Sequence, residues 1–410
     1  MQSCTGGIIM KYVVFLGDGM ADTPVKELGN KTPLEVAKKP NIDFLASKGV
    51  TGMIKTVPDG MKPGSDVANL GAMGFNPEEC YTGRSPLEAV SVGIKLEDTD
   101  ITFRVNLVNL SDEETYEDKT MIDYSSDEIT TEEARILITD LAKELDTDIH
   151  KFYPGFSYRH ILVWANGNLD FELTPPHDIT NKKIKDYLPK GKDSSILLDF
   201  MKRSHEFLKN HPVNLARVER GLRPANSIWP WGEGKKAILP DFHELRGLKG
   251  AVVSAVDLLK GIGMSAGMTC PEIEGATGNI HTNFDGKKDA AIKLFEDHDF
   301  VYIHVEAPDE CGHRGEIENK VKSIEIIDEK IVGPVLKYLD LTGENYKALV
   351  LPDHPTPLNI MTHVAEPVPF IMYEKNAEKD NEISVYTEEN CKKSGVFYEF
   401  GYKLMDDFIK

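Results

Sequence analysis

The chain has 410 residues, of which 40% are hydrophobic and 28% charged, with a formal net charge of -20. That length supports roughly two domains of ~150 residues each, with insertions, and the composition is that of an ordinary soluble globular protein. The acidic balance offers no positive field to a nucleic-acid backbone or an anionic membrane, which excludes a general binder of either; a small anionic substrate needs only a local basic pocket.

Five cysteines (Cys4, Cys80, Cys270, Cys311 and Cys391) are scattered, odd in number and free of any CxxC pair. They suit a reducing cytoplasm rather than a disulfide framework. No stretch approaches the ~20 apolar residues of a membrane span. Residues 1–9 read as an upstream start or a tail.

In chain order, Tyr12 to Leu16 (YVVFL) reads as a buried strand that runs into Gly17-Asp18-Gly19. A carboxylate there points into the crevice at the strand's carboxyl end, or else caps the next turn. Pro33 to Lys48 reads as one amphipathic helix. Ser65 follows Pro63-Gly64 and precedes a helical run, Val67 to Met73. Such a serine is either an N-cap or a hydroxyl held where helix N–H groups favour negative charge.

From about Leu96 to Gly247 the text turns polar, with acidic runs and scattered prolines. Beyond it, Ala251 to Ser254 and Phe300 to Val305 read as strands, and the second ends just before Asp309-Glu310-Cys311-Gly312-His313. Asp309 and His313 share a face if one helical turn spans them. Val321 to Leu339 reads as a helix and Lys347 to Leu351 as a strand ending before Asp353-His354, with His363 nine residues later. Phe370 to Tyr373 reads as a further strand. Strand–helix alternation at both ends predicts an α/β fold with a mostly parallel sheet, helices on both faces and an inserted α+β domain. The expected boundaries are 10–95 and 248–410 for the parent domain and 96–247 for the insert. Aspartates and histidines gathered after successive strands predict a metal site, with Cys311 as either a soft ligand or a packing residue.

The motifs GDGMAD, PGSDVANLGAMG, GRSPLEA, GATGNIHTNF, VEAPDECGH and LPDHPTP with TH shortly after resemble the alkaline phosphatase superfamily. More closely, they resemble its archaeal-type branch of cofactor-independent phosphoglycerate mutases. The resemblance runs from Gly17 to His363. It implies two divalent ions, manganese first, with zinc, magnesium or cobalt as alternatives. Asp18, Ser65, Asp353 and His354 would hold one ion, and Asp309, His313 and His363 the other. It also implies that Ser65 takes a phosphoryl group from a small phosphorylated metabolite and returns it to a different hydroxyl, interconverting 3-phosphoglycerate and 2-phosphoglycerate.

On this resemblance the insert supplies cations for the substrate's anionic groups, with Arg159 and His160 foremost, then Arg84, Arg104 and Arg223. The run RPANSIWPWG at 223–232 resembles a bacterial subgroup proposed to act as homoserine kinases. It reads either as a packed loop or as the wall of a pocket for a different acceptor. A homoserine-kinase-like phosphotransferase is therefore the alternative expectation, and a phosphatase or phosphodiesterase of the same superfamily the third.

Overall fold

The computed structural model describes residues 10–378 and 382–410; the segment 1–9 lies outside the described residues. The chain divides into two compact units, one formed by residues 1–81 and 238–410, the other by residues 82–237. Both unit boundaries fall before the expected 96 and 247.

The first unit is built on a seven-stranded sheet. Its strands run in the spatial order Gly250–Val253, Phe300–Val305, Lys11–Gly17, Tyr346–Leu351, Val368–Glu374, Val50–Ile54 and Phe397–Tyr398. The first four are mutually parallel. Val368–Glu374 alone opposes its neighbours, which makes the sheet mostly parallel. Lys11–Gly17 is buried along its whole length, as a central parallel strand covered on two faces must be. Val13, Phe15, Val301, Ile303, Ala348 and Val350 join the helices Pro40–Lys48, Phe284–Leu294, Ile317–Ile326 and Gly333–Thr342 in one core. On the opposite face Tyr12 packs edge-on against Phe408 of the helix Tyr402–Ile409, ring centroids 5.6 Å apart.

Two expected helices are interrupted. Pro33–Val36 and Pro40–Lys48 are separate, because Pro40 disfavours helical backbone at the residue before it. The run from Ile317 to Thr342 contains a π-helical turn over Ile327–Val332. The extra residue in that turn brings the buried Asp328 to the N-terminus of the Pro40–Lys48 helix, where it accepts from the Ile42 N–H at 2.7 Å.

The second unit is antiparallel. Ile101–Leu110, wholly buried, pairs with Arg159–Trp164 and Ser227–Lys235, and His150–Phe156 extends the sheet beyond Arg159–Trp164. The helices Thr131–Leu145 and Ser194–Leu208 cover it through Leu137, Ile138, Leu141, Leu197, Phe200 and Leu208. Among the described residues no helix is long and apolar enough to cross a membrane.

Candidate metal centre

Register fixes the site. Gly17 lies opposite Val305, and Leu16 opposite Leu351, so three strands end at one level and release Asp18, the helix Ala307–His313 and Asp353-His354 at the same edge. Parallel strands place their carboxyl ends together, and this is where such sheets assemble sites. Asp309 and His313 sit one turn apart on the short helix, and His313 Nε2 lies 3.3 Å from Asp309 Oδ2. His363 Nε2 lies 3.3 Å from Asp309 Oδ1 and 2.8 Å from His313 Nε2. The rings of His354 and His363 lie 4.0 Å apart. Oxygen and nitrogen ligand atoms converge in two groups, Asp309–His313–His363 and Asp18–Asp309–His354, with Asp309 common to both. Asp353 adjoins the second group, its Oδ2 3.3 Å from His354 Nε2.

The surroundings hold these groups in place. Asp353 accepts from the Gly19 N–H at 3.1 Å, the His354 N–H at 2.9 Å and Asn69 Nδ2 at 2.8 Å. Tyr302 OH in turn donates to Asn69 Oδ1 at 2.8 Å. Asp18 Oδ2 meets His304 Nε2 at 2.8 Å, and His304 Nδ1 meets Ser254 Oγ at 3.0 Å. Gly19 is required where it stands. Its φ is +60°, and a Cβ there would lie 2.7 Å from Asp309 Oδ1. Ser65 opens the helix Ser65–Ala72, and its Oγ lies 3.2 Å from His354 Nε2.

Electrostatically the site is short of cations. Asp18, Asp309 and Asp353 are buried, and among the described residues every ion-pair partner of the three is a histidine. Burial, then the charges of Asp353 and Asp309, hold the Asp18 carboxyl well above its ordinary range. His313 is pushed up to about 9, first by its hydrogen bond to Asp309. Burial lowers His354. Asp18 Oδ1 is buried without a hydrogen-bond partner, a costly arrangement unless a positive group meets it. An orphaned carboxylate oxygen among converging imidazoles fits a divalent ion of mixed oxygen and nitrogen preference.

His304, Asn69, Tyr302 and Ser254 were not among the expected site residues. Three of them carried a signal: Asn69 is four residues beyond Ser65 on one helix, and Tyr302 and His304 alternate along a strand otherwise apolar. Cys311 is buried and its thiol is pushed up to about 12, first by that burial.

Of the expected substrate residues, Arg84, Arg104 and Arg159 gather in the second unit around Glu88. His160 and Arg223 are placed otherwise. His160 is fully buried, accepts from the Gly155 N–H at 3.0 Å, and burial holds it neutral, pushed down to about 3. Arg223 pairs with Asp123 and Asp127, each at 3.1 Å.

A family profile described as 2,3-bisphosphoglycerate-independent phosphoglycerate mutase matches residues 46–214. A probable enzyme of that name from Geobacter sulfurreducens is 48% identical, over 97% of this chain and 99% of its own length. Its counterpart from Methanosarcina barkeri is 49% identical, over 94% and 96%. The solved structure of the PH0037 protein from Pyrococcus horikoshii superposes with a TM-score of 0.81 at 29% identity, covering 98% of both chains. A cofactor-independent phosphoglycerate mutase from Thermoplasma acidophilum shares the fold at a TM-score of 0.66 and 22% identity, over 98% and 100%.

Proposed function

The chain belongs to the 2,3-bisphosphoglycerate-independent phosphoglycerate mutase family, and on that premise we propose that it interconverts 3-phosphoglycerate and 2-phosphoglycerate by way of Ser65. The observation that supports Ser65 is its position. The hydroxyl lies at a helix N-terminus and against His354, a member of one of the two ligand groups.

Asp309, His313 and His363 would hold one divalent ion, and Asp18, Asp353 and His354, with Ser65, a second; manganese, zinc, magnesium or cobalt each suit these donors. Such ions supply positive charge that favours an ionised hydroxyl and offsets the charge of a phosphoryl group. The remaining work falls to the chain. His304 and Asn69 fix Asp18 and Asp353, so that the carboxylates do not reorganise during reaction. The first N–H groups of the Ser65–Ala72 helix favour anionic oxygen at that end.

Ser65 Oγ forms a bond to phosphorus as the bond from phosphorus to the 3-oxygen of the substrate breaks. The serine gives up its proton and the departing glycerate oxygen gains one. In the return step the 2-hydroxyl takes the phosphoryl group and Ser65 is reprotonated, so atoms and protons balance over the cycle. Arg84, Arg104 and Arg159 are the residues we assign to the substrate's anionic groups.

The test compares 3-phosphoglycerate isomerisation, homoserine-dependent ATP consumption and phosphate release on manganese-loaded protein. Isomerisation should dominate, with a phosphorylated peptide containing Ser65 recovered after acid quench. Homoserine phosphorylation without isomerisation would overturn the mutase reading, and free phosphate as the main product would overturn transfer altogether.

A further inference from the structure

Within the second unit one partly buried carboxylate stands among three guanidinium groups. Glu88, on the helix Ser85–Ser91, accepts from Arg84 Nε at 2.8 Å through Oε1, and its Oε2 lies 2.9 Å from Arg104 Nε. Each oxygen meets a different arginine, so Glu88 bridges two side chains rather than taking the whole fork of either. Burial raises the Glu88 carboxyl, but Arg104 and Arg84 outweigh it and the net shift is downward, which keeps the bridge ionised. Arg104 is itself buried, and Arg84 and Arg159 both add to the burial that presses its pKa down, to about 10. Like charges this close separate unless something holds them.

A second support comes from the WPW segment. Arg104 on Ile101–Leu110 lies opposite Trp231 on Ser227–Lys235. Its guanidinium carbon sits 4.3 Å from the indole centroid, a cation–π contact. Trp231 is fixed in turn: its Nε1 donates to Asn106 Oδ1 at 2.8 Å, and His177 packs edge-on at 5.3 Å. Arg104 is therefore approached from two directions, by the charge of Glu88 in an ion pair that is not aligned as a hydrogen bond at Nε, and by a ring at its face. A flexible side chain loses rotamer freedom on binding a ligand, and a side chain already held loses less.

We propose that Glu88 and Trp231 are positioning residues that hold Arg104 and Arg84 in a pre-formed receptor for an anionic oxygen group of the substrate. This rests on the assignment of Arg84, Arg104 and Arg159 to substrate binding. It gives the WPW segment a role in orienting an arginine, distinct from lining a pocket for a second acceptor.

Charge alone and orientation predict opposite signs. If Glu88 only dilutes positive charge, Glu88→Gln leaves the cluster more cationic and lowers KM for 3-phosphoglycerate. If Glu88 orients the arginines, the same change raises KM by about tenfold with kcat altered less than about threefold. Trp231→Ala should also raise KM, and Trp231→Phe, which keeps a ring face, should recover most of the loss. The Trp231 pair carries the test if Glu88→Gln fails to fold, as judged by circular dichroism. Arg104→Met is the control for the underlying assignment. An unchanged KM in Arg104→Met removes the assignment itself. A raised KM there, with an unchanged or lowered KM in Glu88→Gln, or in Trp231→Ala where Glu88→Gln does not fold, overturns the positioning role and leaves the assignment standing.

Discussion

Among the described residues every ion-pair partner of the three buried carboxylates Asp18, Asp309 and Asp353 is a histidine, whereas the partly buried carboxylate of Glu88 pairs with two arginines and has a third nearby. The first unit has gathered anions that ask for cations, and the second has gathered cations that ask for an anion. The first arrangement is costly in the protein alone, because buried carboxylates crowded together lose hydration and repel one another. The first imbalance suits the divalent ions proposed for it, and the second suits the anionic group proposed for it.

Five outcomes break or sharpen that contrast. The largest effect belongs to Ser65→Ala, which should lower turnover by about 10^4-fold or more while leaving the thermal midpoint little changed, since Gly64 and not Ser65 is the helix cap. Turnover kept in that variant would detach the anion-rich group from the chemistry. Next, chelation should destabilise the first unit's site. At a metal concentration roughly a thousandfold above Kd the lost linkage is about 4 kcal/mol, read by calorimetry and restored on adding back manganese. The same experiment on Arg104→Met should give the same difference, because the arginine cluster is not part of the ligand groups.

Arg159→Met should raise KM about thirtyfold with a small change in kcat, the loss expected of one charged hydrogen bond. A change in kcat alone would contradict a binding role. An effect on stability rather than on turnover, at most about 3 kcal/mol for a shift from 4.5 to about 7, concerns Glu388. Burial pushes its carboxyl up to about 7, although Thr32 Oγ1 and the Asp22 N–H both donate to it. A carboxyl with a raised native pKa contributes stability that is complete below its unfolded value near 4.5 and lost as pH rises through about 7. Glu388→Gln should flatten that part of the stability–pH curve, and an unaltered slope would assign it to other groups. The smallest effect is at Cys311. Buried beside Asp309 and His313 yet belonging to neither ligand group, it should tolerate Cys311→Ala at about 1 kcal/mol in stability, with metal affinity unchanged by titration calorimetry.

Much of the first unit was legible because its signals are local. The run FVYIHV reads as a strand from its own residues, and the structure has that strand over Phe300–Val305. The four-residue spacing of Asp309 and His313 reads as one helical turn, and the helix Ala307–His313 provides it. The π turn over Ile327–Val332 was not legible, since an apolar stripe looks the same whether or not one residue bulges. Arg223 and His160 show the same limit in the second unit. An arginine committed to Asp123 and Asp127 and a histidine sealed behind its strand look, in sequence, like any other candidates for an anion.

By itself the sequence determined which groups could act: aspartates and histidines after strands, a serine after Pro-Gly, and a set of motifs in one family's order. Only the tertiary structure decided that His304 holds Asp18, and that Asn69, itself held by Tyr302, holds Asp353. The reason is range. Strand and helix periods are written in neighbouring residues, whereas contacts between positions nearly three hundred residues apart depend on sheet order and register. The register setting Gly17 opposite Val305 and Leu16 opposite Leu351 is what turns scattered ligands into one site.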